Sequence, residues 1–368
     1  MSADNRIDDY WTQQSTSPEG SQEDLLCIKT IQDIEPLDAQ FGVDMPKTVP
    51  DALYEALFGQ PDPIQAELEQ AENDPDKVPP LHTYAILDAA KVPGLPELLA
   101  TSGLEHRCFF KGETYEELRN VAPWVVCLEE GNAFSRNLFT KSDAPWHVWG
   151  VERGVYIRSR QSFDRLWQHL RKFTKLQNGA KGDSFLRYWE VETLEAFGAW
   201  PEMFPAISQM LRVIFGGCNI LFHAPYHDGV FHISPTHIDG QNQLSENLRG
   251  DLKRARFYGN MFTQAEDFHN SYPQEAARYG ETAKALHRPL FEAVNEIYSA
   301  GLKDPQLRAR FLIMAVIKYP EIWPGICNQP EWLAVRSDPT KSDERFRDLC
   351  AVLKHQSTRR SGALKVWW

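Results

Sequence analysis

Residues 146–194 read WHVWGVERGVYIRSRQSFDRLWQHLRKFTKLQNGAKGDSFLRYWEVETL, and this stretch decides the fold that the sequence predicts. Its segment Gly154–Arg158 is a short β-branched and aromatic run, which favours a buried strand. Apolar side chains then recur at helical spacing, which predicts an amphipathic helix over 162–172. The buried stripe of this helix is expected to be Phe163, Leu166, Trp167 and Leu170. A glycine-bearing connection at 178–182 joins two further short strands, so the stretch forms a β-α-β-β unit.

The opposite face of the predicted helix is basic. Arg165, His169 and Arg171 lie on it, and Arg158 and Arg160 extend it towards the preceding strand. Charged side chains on a helix are most often a solvated face, and the alternative is a binding surface for an acidic peptide or a nucleic acid.

The remaining sequence predicts an α/β domain with a mixed sheet, followed by an all-α lobe. Strands and helices alternate at short spacing from 82 to 128, which favours several parallel strands, and the hairpin makes the sheet mixed. The apolar run 207–222 is interpreted as one or two more strands. From about Ser245 only helical patterns follow. The predicted segments are an acidic, partly mobile arm with short helices (1–80), the α/β domain (81–240), the helical lobe (245–356) and a basic, aromatic tail (357–368).

Composition limits the possible partners and the compartment. The formal net charge of -12 argues against a nucleic-acid backbone or an anionic membrane as the main partner. The six cysteines are scattered without metal-site spacing, as expected of reduced thiols in a cytosolic protein. The sequence starts without a signal-peptide pattern and has no membrane-spanning apolar run, so we expect a cytoplasmic protein.

One cluster of histidines suggests metal chemistry. Residues 222–239 concentrate four histidines and two aspartates, and His237-Ile-Asp239 has the spacing of a two-histidine, one-carboxylate iron site. His287 is a candidate for the distant ligand. Prolines and a glycine between the histidines favour a polar loop instead, and a single H-x-D pattern is weak. A metal-dependent enzyme that uses His223–Asp239 therefore remains the alternative function.

No other pattern indicates catalysis or a cofactor. Nucleophile elbows, phosphate-binding loops and dinucleotide-binding glycine patterns do not follow any predicted strand. We therefore expect a protein that is not an enzyme and holds no cofactor.

Five sequence blocks occur in an order that resembles a known family. The blocks are Tyr84–Ala90 with the following G-L-P-E-L-L helix, Val121–Leu128, Gly154–Ser159, Leu166–Arg171 and Leu186–Trp189. Together they resemble the type VI secretion effector chaperones, the Tap or Tec adaptor proteins, over roughly residues 84–197.

This resemblance implies a non-enzymatic cytoplasmic adaptor. Such a protein binds a secreted toxic effector and loads it onto the VgrG spike, without nucleic acid or membrane as a partner. The α/β domain is then expected to contact one partner and the helical lobe the other. Arginine and tryptophan are frequent interface anchors. The candidate contact residues are Arg158, Arg160, Arg165, His169, Arg171, Trp146, Trp149 and the terminal Trp367-Trp368. Trp167, on the apolar stripe, is instead expected in the core.

Overall fold

The computed structural model describes residues 26–151, 153–176, 184–227, 229–236, 243–318 and 330–359. The chain divides into two compact units, Met1–Ala255 and Arg256–Trp368. Residues 360–368 of the predicted tail and residues 1–25 of the predicted arm lie outside the described residues. The division falls inside one long helix, somewhat later in the chain than the change of pattern near Ser245.

The first unit is built on a seven-stranded sheet with the strand order β1-β9-β8-β5-β2-β4-β3. Its strands are β1 (Leu26–Gln32), β2 (His82–Asp88), β3 (His106–Cys108), β4 (Pro123–Leu128), β5 (Gly154–Ser159), β8 (Asn219–Ala224) and β9 (Gly229–Pro235). A separate two-stranded hairpin pairs β6 (Lys175–Leu176) with β7 (Ser184–Phe185).

The helices of this unit connect the strands or precede them. They are α1 (Asp51–Phe58), α2 (Gln65–Gln70), α3 (Leu95–Ser102), α4 (Glu113–Leu118), α5 (Ala133–Asn137), α6 (Phe163–Lys172), α7 (Val191–Ala199) and α8 (Pro205–Phe215). Helix α9 (Leu248–Ser271) contains the boundary between the units. The predicted fold class, an α/β domain followed by an all-α lobe, is confirmed.

The strand directions differ from the prediction, because every described pairing between these strands is antiparallel. Strands β2 and β3 do run in the same direction, as a strand-helix-strand crossover requires. Strand β4 lies between them and pairs with both in the opposite direction. The alternation of strands and helices therefore indicated the crossover correctly but not the neighbours of each strand.

Three further predictions are corrected. Much of the apolar run 207–222 is helix α8, because its apolar residues also recur at helical spacing. The apolar island near Leu26, assigned to a helical arm, forms edge strand β1 of the main sheet. The hairpin β6-β7 does not join that sheet, so it does not make the sheet mixed.

One glycine fixes the start of β5 against β2. Gly154 has a φ of +139°, and a Cβ atom built there would lie 1.9 Å from the carbonyl oxygen of Ile86. Only glycine allows this close approach of the two backbones. The ladder from Leu87↔Gly154 to His82↔Ser159 depends on that approach and sets the position of the helix that follows.

The second unit is helical. Besides the end of α9, its elements are α10 (Pro273–Ala276), α11 (His287–Ala300), α12 (Pro305–Leu312) with a π-helical turn over Ile313–Lys318, α13 (Pro330–Arg336) and α14 (Ser342–Arg359). Its core contains Phe311, which packs on Trp332 at 4.9 Å and on Phe346 at 5.9 Å between ring centroids. Among the described residues, no helix combines the length and the apolar character that a membrane crossing needs.

Candidate partner-binding surface

Helix α6 has the two faces that its sequence predicts. The stripe Phe163, Leu166, Trp167 and Leu170 is buried. The indole Nε1 of Trp167 donates a hydrogen bond of 3.1 Å to the carbonyl oxygen of Cys108, in edge strand β3. The helix therefore packs beside the β3 edge of the sheet, and the core assignment of Trp167 is confirmed.

The basic face of α6 is only partly available to a partner. Arg165 is exposed and makes no hydrogen bond or ion pair with any residue that the structure describes. His169 is half-buried, and its Nε2 lies 2.9 Å from the carbonyl oxygen of Ile214 in α8. Arg171 is exposed, but its Nε donates a 2.9 Å hydrogen bond to the carbonyl oxygen of Phe109. His169 and Arg171 thus help to attach the helix, whereas Arg165 does not.

The predicted surface position of Arg158 is wrong. Only 3% of this residue is exposed, and its guanidinium donates hydrogen bonds to the carbonyl oxygen of Gly59 and, at 2.9 Å, to the hydroxyl of Thr83. A longer contact of 3.4 Å reaches the carbonyl oxygen of Leu81. Burial lowers the pKa of Arg158 to about 10, and the neighbouring charge of Arg160 adds to this effect. Arg158 therefore fastens the end of α1 to the sheet.

Arg160 also makes an intramolecular contact. Its Nε lies 2.6 Å from Oε1 of Glu67 in α2, and a terminal nitrogen donates a 2.7 Å hydrogen bond to the carbonyl oxygen of Pro79. Burial raises the pKa of Glu67, but the hydrogen bonds from Arg160 and from the backbone outweigh it and leave that pKa lowered. Arg160 attaches the segment before β2 and is mostly covered.

The predicted tryptophan contacts divide in the same way. Trp146 is 49% exposed and remains a surface candidate. Trp149 is 7% exposed and packs on His223, with 4.6 Å between ring centroids, so its predicted surface position is wrong. Trp368 lies outside the described residues. Residue type alone could not distinguish an interface anchor from a core residue, because Trp146 and Trp149 are both tryptophans in the same short segment of the sequence.

Two cations that no sequence pattern indicated lie beside Trp167. The Nζ of Lys111 is 4.4 Å from the indole centroid, and the guanidinium carbon of Arg107 is 4.8 Å from it. The guanidinium of Arg171 approaches the same ring at 5.8 Å. We call Arg107, Lys111 and Arg171 the cationic cluster. This cluster extends the basic surface of α6 across edge strand β3. Side chains alternate between the two faces of a strand, and this alternation along β3 could have predicted that Arg107 lies on the surface.

An exposed apolar loop lies elsewhere in the first unit. Phe41 is 94% exposed and Met45 is 89% exposed. The side chain of Gln40 closes this loop, because its Nε2 donates to the carbonyl oxygen of Lys47 at 3.0 Å while its Oε1 accepts from the Lys47 amide at 2.8 Å. Two large apolar side chains are thus presented to solvent within five residues, which is uncommon for a surface without a contact role.

The histidines of the alternative metal site are separated. The Nδ1 of His227 lies 2.8 Å from Oε1 of the buried Glu195, His223 packs on Trp149, and His287, in the second unit, packs on Phe262. Within the described ranges, no group of three or more metal-ligating side chains converges. His237 and Asp239 lie outside those ranges.

Comparison with known proteins gave one family match, which covers the segment that contains α6. The model of a family described as Domain of unknown function (DUF4123) matches residues 83–200, which run from β2 to the end of α7. Neither a search of curated proteins nor one of solved structures gave a match. The family is associated with type VI secretion effector adaptors. The cationic cluster and helix α6 therefore lie within a segment that is similar to a family associated with such adaptors.

Proposed function

We propose that this protein is a non-enzymatic cytoplasmic adaptor that binds a toxic effector and loads it onto the VgrG spike of a type VI secretion system. The observation that carries this proposal is the family match over the segment that contains α6 and the cationic cluster. An adaptor acts through surface contacts, and its interface anchors are frequently arginine and aromatic side chains.

The exposed cations support a contact with an acidic protein surface. Arg165 projects from α6 without an intramolecular partner among the described residues, and Lys111 and Arg171 are also exposed in the same domain. The whole chain is acidic, with a net charge of -12, so a basic surface on it is a local exception. Complementary charge steers association and fixes the orientation of the complex.

The second partner is assigned to the helical unit, where Tyr298 and Leu333 are 47% and 50% exposed. The apolar loop with Phe41 and Met45 offers a further contact in the first unit. In this arrangement one partner contacts the sheet domain through charge, and the other contacts apolar side chains.

The experiment that tests the proposal is co-expression of the tagged chain with the spike protein and the toxin of one type VI secretion gene cluster from the source organism. We expect the purified chain to retain at least one of them. Arg165→Glu is expected to reduce retention, because it reverses an exposed charge that has no structural contact. Lys253→Glu is the matched control, since Lys253 is an exposed cation of the first unit away from α6 in sequence. Retention of neither protein by the wild-type chain would refute the proposal.

A further inference from the structure

A cavity of about 420 Å³ lies next to the cationic cluster. Its walls come from α3, β3, α4, β4 and α6, so it opens at the β3 edge of the sheet. Pockets that take small ligands range from about 300 to 1,000 Å³. This cavity is therefore large enough for a few side chains of a bound segment and too small for a folded domain.

The floor of the cavity is aromatic. Trp124 and Trp167 are 5% and 4% exposed, and Tyr115 packs edge-on against Trp124 with 6.0 Å between centroids. Both indole N–H groups already donate to backbone carbonyl oxygens, at 3.0 Å to Arg119 and at 3.1 Å to Cys108. The two indoles therefore offer a ligand no hydrogen-bond donor and little exposed area, and they form the buried base of the cavity. The apolar surface that a ligand can reach comes from the half-buried lining residues Pro96, Phe110 and Tyr115, which favours an apolar group there.

The rim of the cavity carries an excess of positive charge. Arg107, Lys111 and Arg119 line it, and Glu97 is the only acidic residue among the lining side chains that the structure describes. Arg107 is paired with Asp164 at 2.7 Å. Lys111 and Arg119 are exposed, and neither forms an ion pair within the described part of the chain. Two cations thus face an apolar floor without a carboxylate to neutralise them.

We propose that this cavity binds a short segment of a protein partner in which an acidic side chain stands next to an aromatic or aliphatic one. The carboxylate pairs with Lys111 and Arg119, and the apolar neighbour covers the half-buried side chains of Phe110 and Tyr115. A phosphate ion would satisfy the rim but leave the exposed parts of Phe110 and Tyr115 in water, so the combination of cationic rim and apolar wall selects a group with both properties. The choice of a protein segment as the ligand rests on the proposed function.

The test uses the full-length chain labelled with 5-fluorotryptophan and observed by fluorine NMR. The probe is the blocked peptide acetyl-Phe-Glu-Phe-Glu-amide, with acetyl-Phe-Gln-Phe-Gln-amide and sodium phosphate as comparisons. Trp124→Phe and Trp167→Phe assign the two resonances of the cavity floor. We expect the acidic peptide to shift both resonances saturably, and the glutamine peptide to bind about tenfold more weakly, as the loss of one partly desolvated ion pair implies.

A double variant gives the second arm of the test. Lys111→Glu with Arg119→Glu changes two exposed residues, and the lost contact of Lys111 with the Trp167 ring costs about 0.5–1 kcal/mol. The thermal midpoint should therefore fall only slightly, while the affinity for the acidic peptide falls at least about tenfold. Lys253→Glu is the matched control and should leave the affinity unchanged. Equal binding of the two peptides, a response to phosphate alone, or no shift of either resonance would each overturn the proposal. No spike protein or toxin takes part in this test, so its result is independent of the co-purification experiment. Peptide binding without co-purification would support the ligand proposed for the cavity and refute the adaptor function.

Discussion

Replacement of Arg158 by alanine separates a structural role from a binding role at this residue. The sequence predicted a partner contact, whereas the structure places the guanidinium inside the first unit, bound to Gly59 and Thr83. Alanine removes the donor for both of these buried groups. It also removes one of the bonds that hold the end of α1 to the sheet, because Gly59 is the residue that follows this helix. The hydroxyl of Thr83 still donates to the carbonyl oxygen of Leu57.

The magnitude follows from the groups that lose their donor. A buried polar group without a hydrogen-bond partner costs about 1–3 kcal/mol. Part of this loss is offset, because the charge itself is unfavourably buried, as the lowering of the Arg158 pKa to about 10 indicates. We expect Arg158→Ala to lower the free energy of unfolding of the first unit by about 2–4 kcal/mol. For a unit of this size that corresponds to a decrease of roughly 5–12 °C in the thermal midpoint.

The assay is urea and thermal denaturation followed by circular dichroism. Arg165→Ala is the matched control, since Arg165 is exposed and should stay within about 0.5 kcal/mol of the wild type. Arg158→Lys should recover only part of the loss, because an ammonium group lacks the fork that reaches two acceptors at once. If Arg158→Ala were as stable as the control and lost partner binding instead, the structural role argued for Arg158 would be wrong.

Three further predictions concern the first unit. Gly154→Ala should lower the free energy of unfolding by more than about 3 kcal/mol in denaturant titrations, because the new Cβ would collide with the carbonyl oxygen of Ile86; a wild-type midpoint would contradict the close approach. Burial, followed by the charges of two glutamates, raises the pKa of the Cys127 thiol to about 11. The rate at which this thiol is alkylated in the native chain, followed by peptide mass spectrometry, should therefore increase with each unit of pH up to that value. A rate that levels off near pH 9 would be inconsistent with the raised pKa. Burial and, to a lesser extent, the charge of Lys29 lower the pKa of His232, so the unfolded state binds a proton more readily than the folded state. The free energy of unfolding should therefore fall as the pH decreases below about 6.5. His232→Gln should reduce this dependence of stability on pH, and an unchanged dependence would assign it to other groups.

The local periodicity of the sequence was sufficient for much of the first unit. The stripe of α6 and strand β5 follow the predicted positions closely, and β2 and β4 lie in the range 82–128 where strands were expected, because each buries one clear apolar pattern. Strand β1 was not predicted, since its pairing partner β9 is about 200 residues away and nothing local indicates it. The position of β4 between β2 and β3 likewise depends on which distant strands pair. The alternation of apolar residues within each strand does not determine this pairing.

The candidate surface was only partly predictable for the same reason. Arg158 and Arg165 were both predicted as surface contacts from the sequence. Arg158 is instead structural, because its guanidinium donates a hydrogen bond to the buried carbonyl oxygen of Gly59. Arg107 and Lys111 come from β3 and the segment after it, and only the packing of Trp167 beside that strand brings them to α6. A helical pattern defines one face of one helix, whereas a binding surface is assembled from several elements.

The dissociation constant of the chain for a purified spike protein or toxin from the same secretion system tests the central claim most directly. Titration calorimetry of the wild type, Arg165→Glu and Lys253→Glu would give three values under one salt concentration. We predict measurable binding by the wild type, an affinity about tenfold lower for Arg165→Glu and an unchanged affinity for Lys253→Glu. Absence of binding to either protein would contradict the adaptor function, and equal affinities of all three chains would contradict the assignment of the contact to the basic face of α6.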